Sequence, residues 1–112
     1  MARPIGSAIA LHVDDGTVRR IAERFVADPL AAELGVDIVA DPHREDDDGY
    51  IWTRLSRARI VSEVVPGLEV VIGSDIGRWL AKVIAWDFEV NDDDPIVTLE
   101  LLPTSEELVG TA

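Results

Sequence analysis

The stretch "GRWLAKVIAWDFEV" (residues 77–90) decides how this chain is to be read. It gathers two tryptophans, a phenylalanine and the sole lysine into one run of strand-forming residues. Taken as a strand of period two, Leu80, Ile84, Trp86, Phe88 and Val90 share one face, and Trp79, Ala81, Val83 and Ala85 share the other. Both faces are largely apolar. A strand with one wet side shows polar alternation, so the pattern predicts a strand covered on both sides. One cover is the chain's own core; the other is either the N-terminal helix or a neighbouring subunit. Lys82 fits such an interior only by reaching an acid or by snorkelling to its edge. The run reads as a packing device and carries no chemistry of its own.

Strand signals continue on either side. "YIWTRLSRARIVSEVV" (50–65) is long and rich in β-formers, "PG" (66–67) marks a tight turn, and "LEVVI" (68–72) is a further strand. "GSDIG" turns the chain into the 77–90 run, "NDDDP" (91–95) breaks it, and "IVTLELL" (96–102) closes the series. Closely spaced strands joined by brief turns predict an antiparallel meander curled into a small barrel.

Upstream, "IGSAIALHV" (5–13) alternates with Ile5, Ile9, Leu11 and Val13 on one face and predicts an N-terminal strand. "DDGT" then offers Asp15 or Thr17 as a helix N-cap. Val18, Ile21, Ala22 and Phe25 follow at i, i+3, i+4 and i+7, the apolar stripe of a helix laid on the sheet. In "ADPLAAELG" Asp28 suits a cap, Pro29 a first helical position and Gly35 the left-handed position after a second short helix. "VDIVA" (36–40) predicts a short strand, and "DPHREDDDG" (41–49) an exposed acidic loop. The predicted fold class is therefore α+β, a small antiparallel barrel or meander with an N-terminal strand and one or two short helices packed on it. It forms a single domain: strand and helices over 1–40, acidic loop over 41–49, meander over 50–103, tail over 104–112.

Composition narrows the function classes. The chain has 112 residues, an apolar fraction of 47% and a formal net charge of −12. A field of that sign repels phosphates and disfavours sequence-specific nucleic-acid binding. Cysteine is absent, which removes disulfides, thiolate metal sites and cysteine nucleophiles. The N-terminal residues lack the apolar core of a signal peptide, and no apolar run approaches the length of a membrane span, so the expected location is the cytoplasm.

No constellation for chemistry stands out. His12-Val13-Asp14 matches one piece of a two-histidine, one-carboxylate iron site, but the only other histidine, His43, lies in the acidic loop. A calcium-loop alignment with Gly49 at the sixth position puts Arg44 first and Leu55 twelfth, where carboxylates are required. Neither a nucleophile elbow nor a paired-acid arrangement appears. No cofactor and no metal is expected, and an interaction protein is expected in preference to an enzyme.

One charge anomaly stands out. Arg54, Arg57 and Arg59 fall in a segment, 50–62, that has no acid. On an extended strand Arg57 and Arg59 share a face and Arg54 takes the other. Arginine's planar fork suits an acidic patch of another copy or partner, while ordinary pairing within the chain is the plain alternative. The interface residues expected from sequence are thus Arg54, Arg57, Arg59, Trp79, Lys82, Trp86 and Phe88.

The stretch "VPGLEVVIGSDIGRWLAKVIAWDFEVNDDDPIVTLELLP" (65–103) resembles an SH3-like small barrel: a Pro-Gly opening turn, a glycine-flanked hairpin, a tryptophan-bearing strand and a closing strand. A small acidic chain of this pattern is similar to head-to-tail connector components, such as stopper or terminator proteins, of tailed phages. The resemblance implies a homo-oligomeric ring around a DNA channel, built in the cytoplasm and carried in the virion. It also implies that Asp46, Asp47, Asp48, Asp92, Asp93 and Asp94 line or rim the channel, where negative charge keeps DNA from sticking. Two other classes are open at this point: an acidic mimic of DNA that blocks a nucleic-acid-binding protein, and an adaptor that holds a peptide against Tyr50, Trp52 and Trp86 exposed together.

Overall fold

The computed structural model describes residues 9–25, 29–43, 49–89 and 94–102. Within them the chain runs β1 (Ile9–Ala10), α1 (Asp15–Ala22), α2 (Pro29–Leu34), β2 (Ile38–Val39), β3 (Ile51–Arg54), β4 (Glu69–Ser74), β5 (Gly77–Asp87) and β6 (Ile96–Leu101). The result is a mixed α+β fold, a curled sheet with two short helices. The residues before Ile9, the Asp28 cap, Asp46 to Asp48, Asp92 and Asp93, and the 104–112 tail lie outside the described residues.

β5 is the decisive stretch, and its side chains do not keep one alternation. Its pairing with β6 passes through Ala81↔Leu101 and Val83↔Leu99, then resumes at Ala85↔Thr98, leaving Ile84 as one extra residue on β5. Such a bulge exchanges the two faces of the strand from that point on. Before it, Ala81 and Val83 point into the core; after it Trp86 does, and all three have 0% exposure. The polar residues change phase with them: Lys82 is exposed ahead of the bulge, Glu89 is exposed behind it, and Asp87 is half-buried.

The expectation that Leu80, Ile84, Trp86 and Phe88 share one face is thereby corrected. A single core face changes parity at Ile84, and this imitates a strand that is apolar throughout. On the outer face Leu80 and Ile84 are half-buried, while Lys82 stands in solvent between its cross-strand partners Glu69 and Glu100. Opposite charges at such positions attract modestly.

Trp86 is the largest fully buried side chain, and its indole Nε1–H donates to the Val64 carbonyl at 2.8 Å. An indole N–H needs such a partner once it is taken out of water. Val64 ends a segment that the sequence predicts as extended but that turns twice. Beyond β3, Leu55–Arg57 and Val61–Glu63 are 3₁₀ turns. Leu55, Ala58, Val61 and Val64 recur every third residue, and all are buried. Within each turn the 3₁₀ period brings i and i+3 onto one side, Leu55 with Ala58 and Val61 with Val64, while the backbone at Ala58 and Ile60 between the turns is extended. Packing at that period overrides the β propensity of the individual residues.

The sheet order is β2-β4-β5-β6-β3, with β1 paired to the far end of β5 at Ile9↔Asp87 and Ala10↔Trp86. Most neighbours are antiparallel as expected, but β2 lies parallel to β4, Ile38 beside Ile72. The curl brings the sheet's two ends together. Ile38 bridges to Ala58, and the Arg59 N–H donates to the Asp37 carbonyl at 2.8 Å. On the other side Asp37 ties the start of β2 to β4, its Oδ2 accepting from the Val71 N–H at 2.7 Å.

α1 begins at neither expected cap. Asp14 is the N-cap, its Oδ1 accepting from the Thr17 N–H at 2.7 Å, while Asp15 opens the helix. Val18 and Ile21 of the expected stripe are buried in the main core, with Ala22 and Phe25 packed against it. α2 covers the outer side of the β2–β4 pair, where Ala31, Val36 and Val39 form a second small cluster with Leu34 and Val71. Gly35 takes the left-handed conformation expected after α2, with φ 72°. At Gly73 a side chain is excluded by space, since a Cβ there would run into the Gly77 carbonyl and crowd Val36.

Replacing Trp86 by Phe keeps most of the ring in the core but leaves the buried Val64 carbonyl without its donor. The expected loss is about 1–3 kcal/mol of unfolding free energy in a urea titration. A loss near zero would mean that the carbonyl finds another donor. The cap gives a pH signature. The Thr17 backbone and hydroxyl hydrogen bonds hold the Asp14 carboxyl below its ordinary 3.8. A depressed carboxyl stabilises the folded state above the unfolded pKa. The cap's contribution is therefore complete above pH 3.8 and is lost as pH falls through the lower folded value. Carbon-detected NMR titration should place the Asp14 midpoint below that of the same residue in the urea-unfolded chain.

Candidate functional site

The seam between the sheet's two ends is closed at Ile38–Ala58 and splays open toward β3. The opening is a groove of about 370 Å³. One wall is Val39, Ala40 and Asp41, with Ser74 behind them, and the other is Trp52, Thr53 and Arg54, with Arg57 from the first 3₁₀ turn. Thr53 Oγ1 donates to the Val39 carbonyl at 2.9 Å and forms the floor.

Trp52 gives the groove its apolar surface. It faces away from the core because its neighbour Ile51 faces in, and it is 53% exposed where Ile51 has 0%. A large aromatic this open on a structured strand has no part in holding the core. The phase of the ladder aims its backbone as well. The Leu55 N–H bonds to the Pro95 carbonyl at 3.0 Å, and Ile51↔Leu99 and Thr53↔Val97 continue that register. In an antiparallel pair the alternate residues, here Trp52 and Arg54, turn their N–H and C=O to the other edge, which is the groove side.

The arginines regroup. Because the chain leaves the extended conformation after Arg54, the expected sharing of one strand face by Arg57 and Arg59 does not occur. Arg54 and Arg57 line the groove together. Arg59 lies elsewhere, beside a smaller hollow of about 200 Å³ near Phe25 and Ile60. Its guanidinium is 3.7 Å from Glu63 Oε1 and 3.9 Å from Asp37 Oδ1. Both contacts are partly exposed and contribute little beyond orienting the side chain.

Asp94 is a fastening. Its Oδ1 accepts from the Ser56 N–H at 3.0 Å and its Oδ2 from the Ser56 hydroxyl at 2.9 Å, with Arg54 Nη1 4.0 Å from Oδ2. It pins the first 3₁₀ turn to the start of β6. The other expected rim aspartates, Asp46 to Asp48, Asp92 and Asp93, lie outside the described residues.

The remaining expected interface residues separate. Trp86 is sealed in the core with 0% exposure, so it cannot touch a neighbour, and the aromatic groove of Tyr50, Trp52 and Trp86 does not form. Phe88 meets Trp86 edge to face at 6.2 Å and packs on the same core. Trp79 is half-buried, with the His43 ring edge-on at 6.0 Å. Lys82 is on the outer face. His12 is exposed, and its neighbour Asp14 is engaged as the helix cap. Among the described residues no cluster of three or more His, Asp or Glu is placed to hold a metal ion. Among the same residues no helix is long and apolar enough to cross a membrane.

The groove could have been anticipated in part. Ile51-Trp52-Thr53-Arg54 alternates cleanly, which puts Trp52 and Arg54 on one outward face. Asp41, Ser74 and the Val39 carbonyl carry no such local signal, because they reach the groove only through the parallel pairing of β2 with β4. Compared with protein-family models, with curated proteins and with solved structures, the chain matches none.

Asp94→Ala removes two hydrogen bonds to Ser56 and should cost about 1–3 kcal/mol of stability. Arg54→Ala removes only a long, half-exposed ion pair and should cost less than about 1 kcal/mol. Paired chemical-denaturation curves check the order, which reverses if Asp94 serves mainly as a partner for Arg54.

Proposed function

We propose that this chain is a non-enzymatic structural protein that works by binding other protein subunits, as a head-to-tail connector component of a tailed phage that assembles into a ring around the DNA channel. The observation that carries the reading is Trp52. It is half open to solvent on a well-formed strand, next to two arginines, in a chain whose other aromatic residues are buried or half-buried. Interface anchors are enriched in tryptophan and arginine, which give large contact area and directed hydrogen bonds.

The curled sheet with one long bulged strand suits an SH3-like small barrel, and a barrel this small has surface to offer on several sides. In a ring each copy presents one patch to the next copy's different patch, so a single exposed anchor per chain suffices. The formal charge of −12 fits a channel through which DNA passes without being held. In this reading Asp46 to Asp48, Asp92 and Asp93 supply the rim charge. Assembly takes place in the cytoplasm, and the product travels in the virion.

Native mass spectrometry and negative-stain electron microscopy across a concentration series test the reading. The wild-type chain should give closed multimers, and Trp52→Glu should shift the population to monomer with the fold intact by circular dichroism. A wild-type chain that stays monomeric at every concentration, with no larger assembly in micrographs, overturns it.

A further inference from the structure

The proposed function leaves open what chemistry the groove recognises. We infer that it takes an acidic segment of a partner protein in extended conformation, lying over Thr53 with a carboxylate at Arg54 and Arg57 and its main chain against the open edge of Trp52. This rests on reading the chain as an interaction protein and adds the chemistry of the partner.

Three features converge on that occupant. The first is the edge. Among the described residues β3 pairs only with β6 along Ile51–Arg54, and the main-chain groups of Trp52 face the groove. Unpaired strand edges bind extended peptides through main-chain hydrogen bonds. The second is charge. Arg54 and Arg57 sit in a segment, 50–62, without acids, inside a chain with 22 acids to 10 bases. Among the residues that line the groove, these two arginines face one carboxylate, Asp41, so its lining carries more positive than negative charge on an otherwise acidic chain, and an acidic segment is the partner that this local balance favours. Arg54 keeps its donors for that purpose, since its 4.0 Å separation from Asp94 is longer than a hydrogen bond. A guanidinium offers a fork of N–H groups that matches a carboxylate. The third is the indole of Trp52, beside which an apolar residue next to the carboxylate would pack. The Thr53 bond to Val39 closes the floor, so the segment lies over the seam and does not insert between the two strands.

The test is an NMR titration of the isotope-labelled full chain with acetyl-Val-Glu-Val-Glu-Val-amide, using the lysine analogue acetyl-Val-Lys-Val-Lys-Val-amide as control. Saturable shifts are expected at the Trp52 indole and at the Trp52 and Arg54 amides with the glutamate peptide alone. Arg54→Ala and Arg57→Ala should each weaken binding by about tenfold, as expected for loss of a charge-assisted hydrogen bond. Added salt should weaken it further. The inference falls if millimolar glutamate peptide leaves those resonances unmoved, if the lysine peptide moves them equally, or if both arginine variants bind as the parent does. The same shifts appearing on concentrating the protein alone would make a second copy the occupant and overturn the assignment to a separate partner. The two proposals fail separately. Assembly that depends on Trp52 with no peptide binding sinks only this inference; peptide binding by a permanent monomer sinks only the ring.

Discussion

The fold depends on one buried hydrogen bond, from the Trp86 indole to the Val64 carbonyl, and on the bulge that makes it reachable. Without an extra residue at Ile84, strict alternation from Ala81 and Val83 would place Trp86 on the outer face. With it, the largest side chain of the core stands over the 3₁₀ segment that leads from β3 to β4. The bond thereby links the middle of the sheet to the irregular stretch that closes it. A polar group this deep is costly unless satisfied, so the pairing also selects one arrangement of the 61–64 backbone over its neighbours.

Around that centre the chain uses carboxylates as fasteners. Asp14 caps α1, Asp37 joins the start of β2 to β4 and Arg59, and Asp94 ties the first 3₁₀ turn to β6. Each accepts at least one backbone N–H, and these bonds are stronger than ordinary ones because the acceptor is charged. An acidic composition is therefore partly architectural here. None of these three carboxylates is among the groove's lining residues, where Asp41 stands with Arg54 and Arg57.

The sequence made much of this legible, and what it concealed has identifiable causes. The α1 stripe, the Pro29 start and Gly35 end of α2, and the β4–β5–β6 series are written in local pattern, and local pattern is what single-sequence reading captures. The bulge was readable in principle: Lys82 is even-numbered, Asp87 and Glu89 are odd, and a polar face that changes parity within one strand marks an inserted residue. The three-residue spacing of Leu55, Ala58, Val61 and Val64 likewise outlines the path of the two 3₁₀ turns, but Ile60, Val61 and Val64, with the β-formers at 50–53, give the stretch the look of a strand. Other features have no local signature. The parallel pairing of β2 with β4, the seam at Ala58 and the reach of Asp94 to Ser56 join positions tens of residues apart, and only the folded chain brings them together. For the same reason the site was half visible: Trp52 and Arg54 announce themselves by alternation, whereas Asp41 and Ser74 arrive by topology.

The bulge carries a consequence for how this domain tolerates change. The position of Trp86 relative to Val83 is set by how many residues separate them and only weakly by which residue stands at 84, since that side chain is half-buried on the outer surface. Substitution there alters a half-buried contact locally; deletion reverses the inside and outside of everything downstream in the strand. Within β5 the sequence thus encodes a count, and descendants of this chain are free to vary the letter at 84 while the spacing stays fixed.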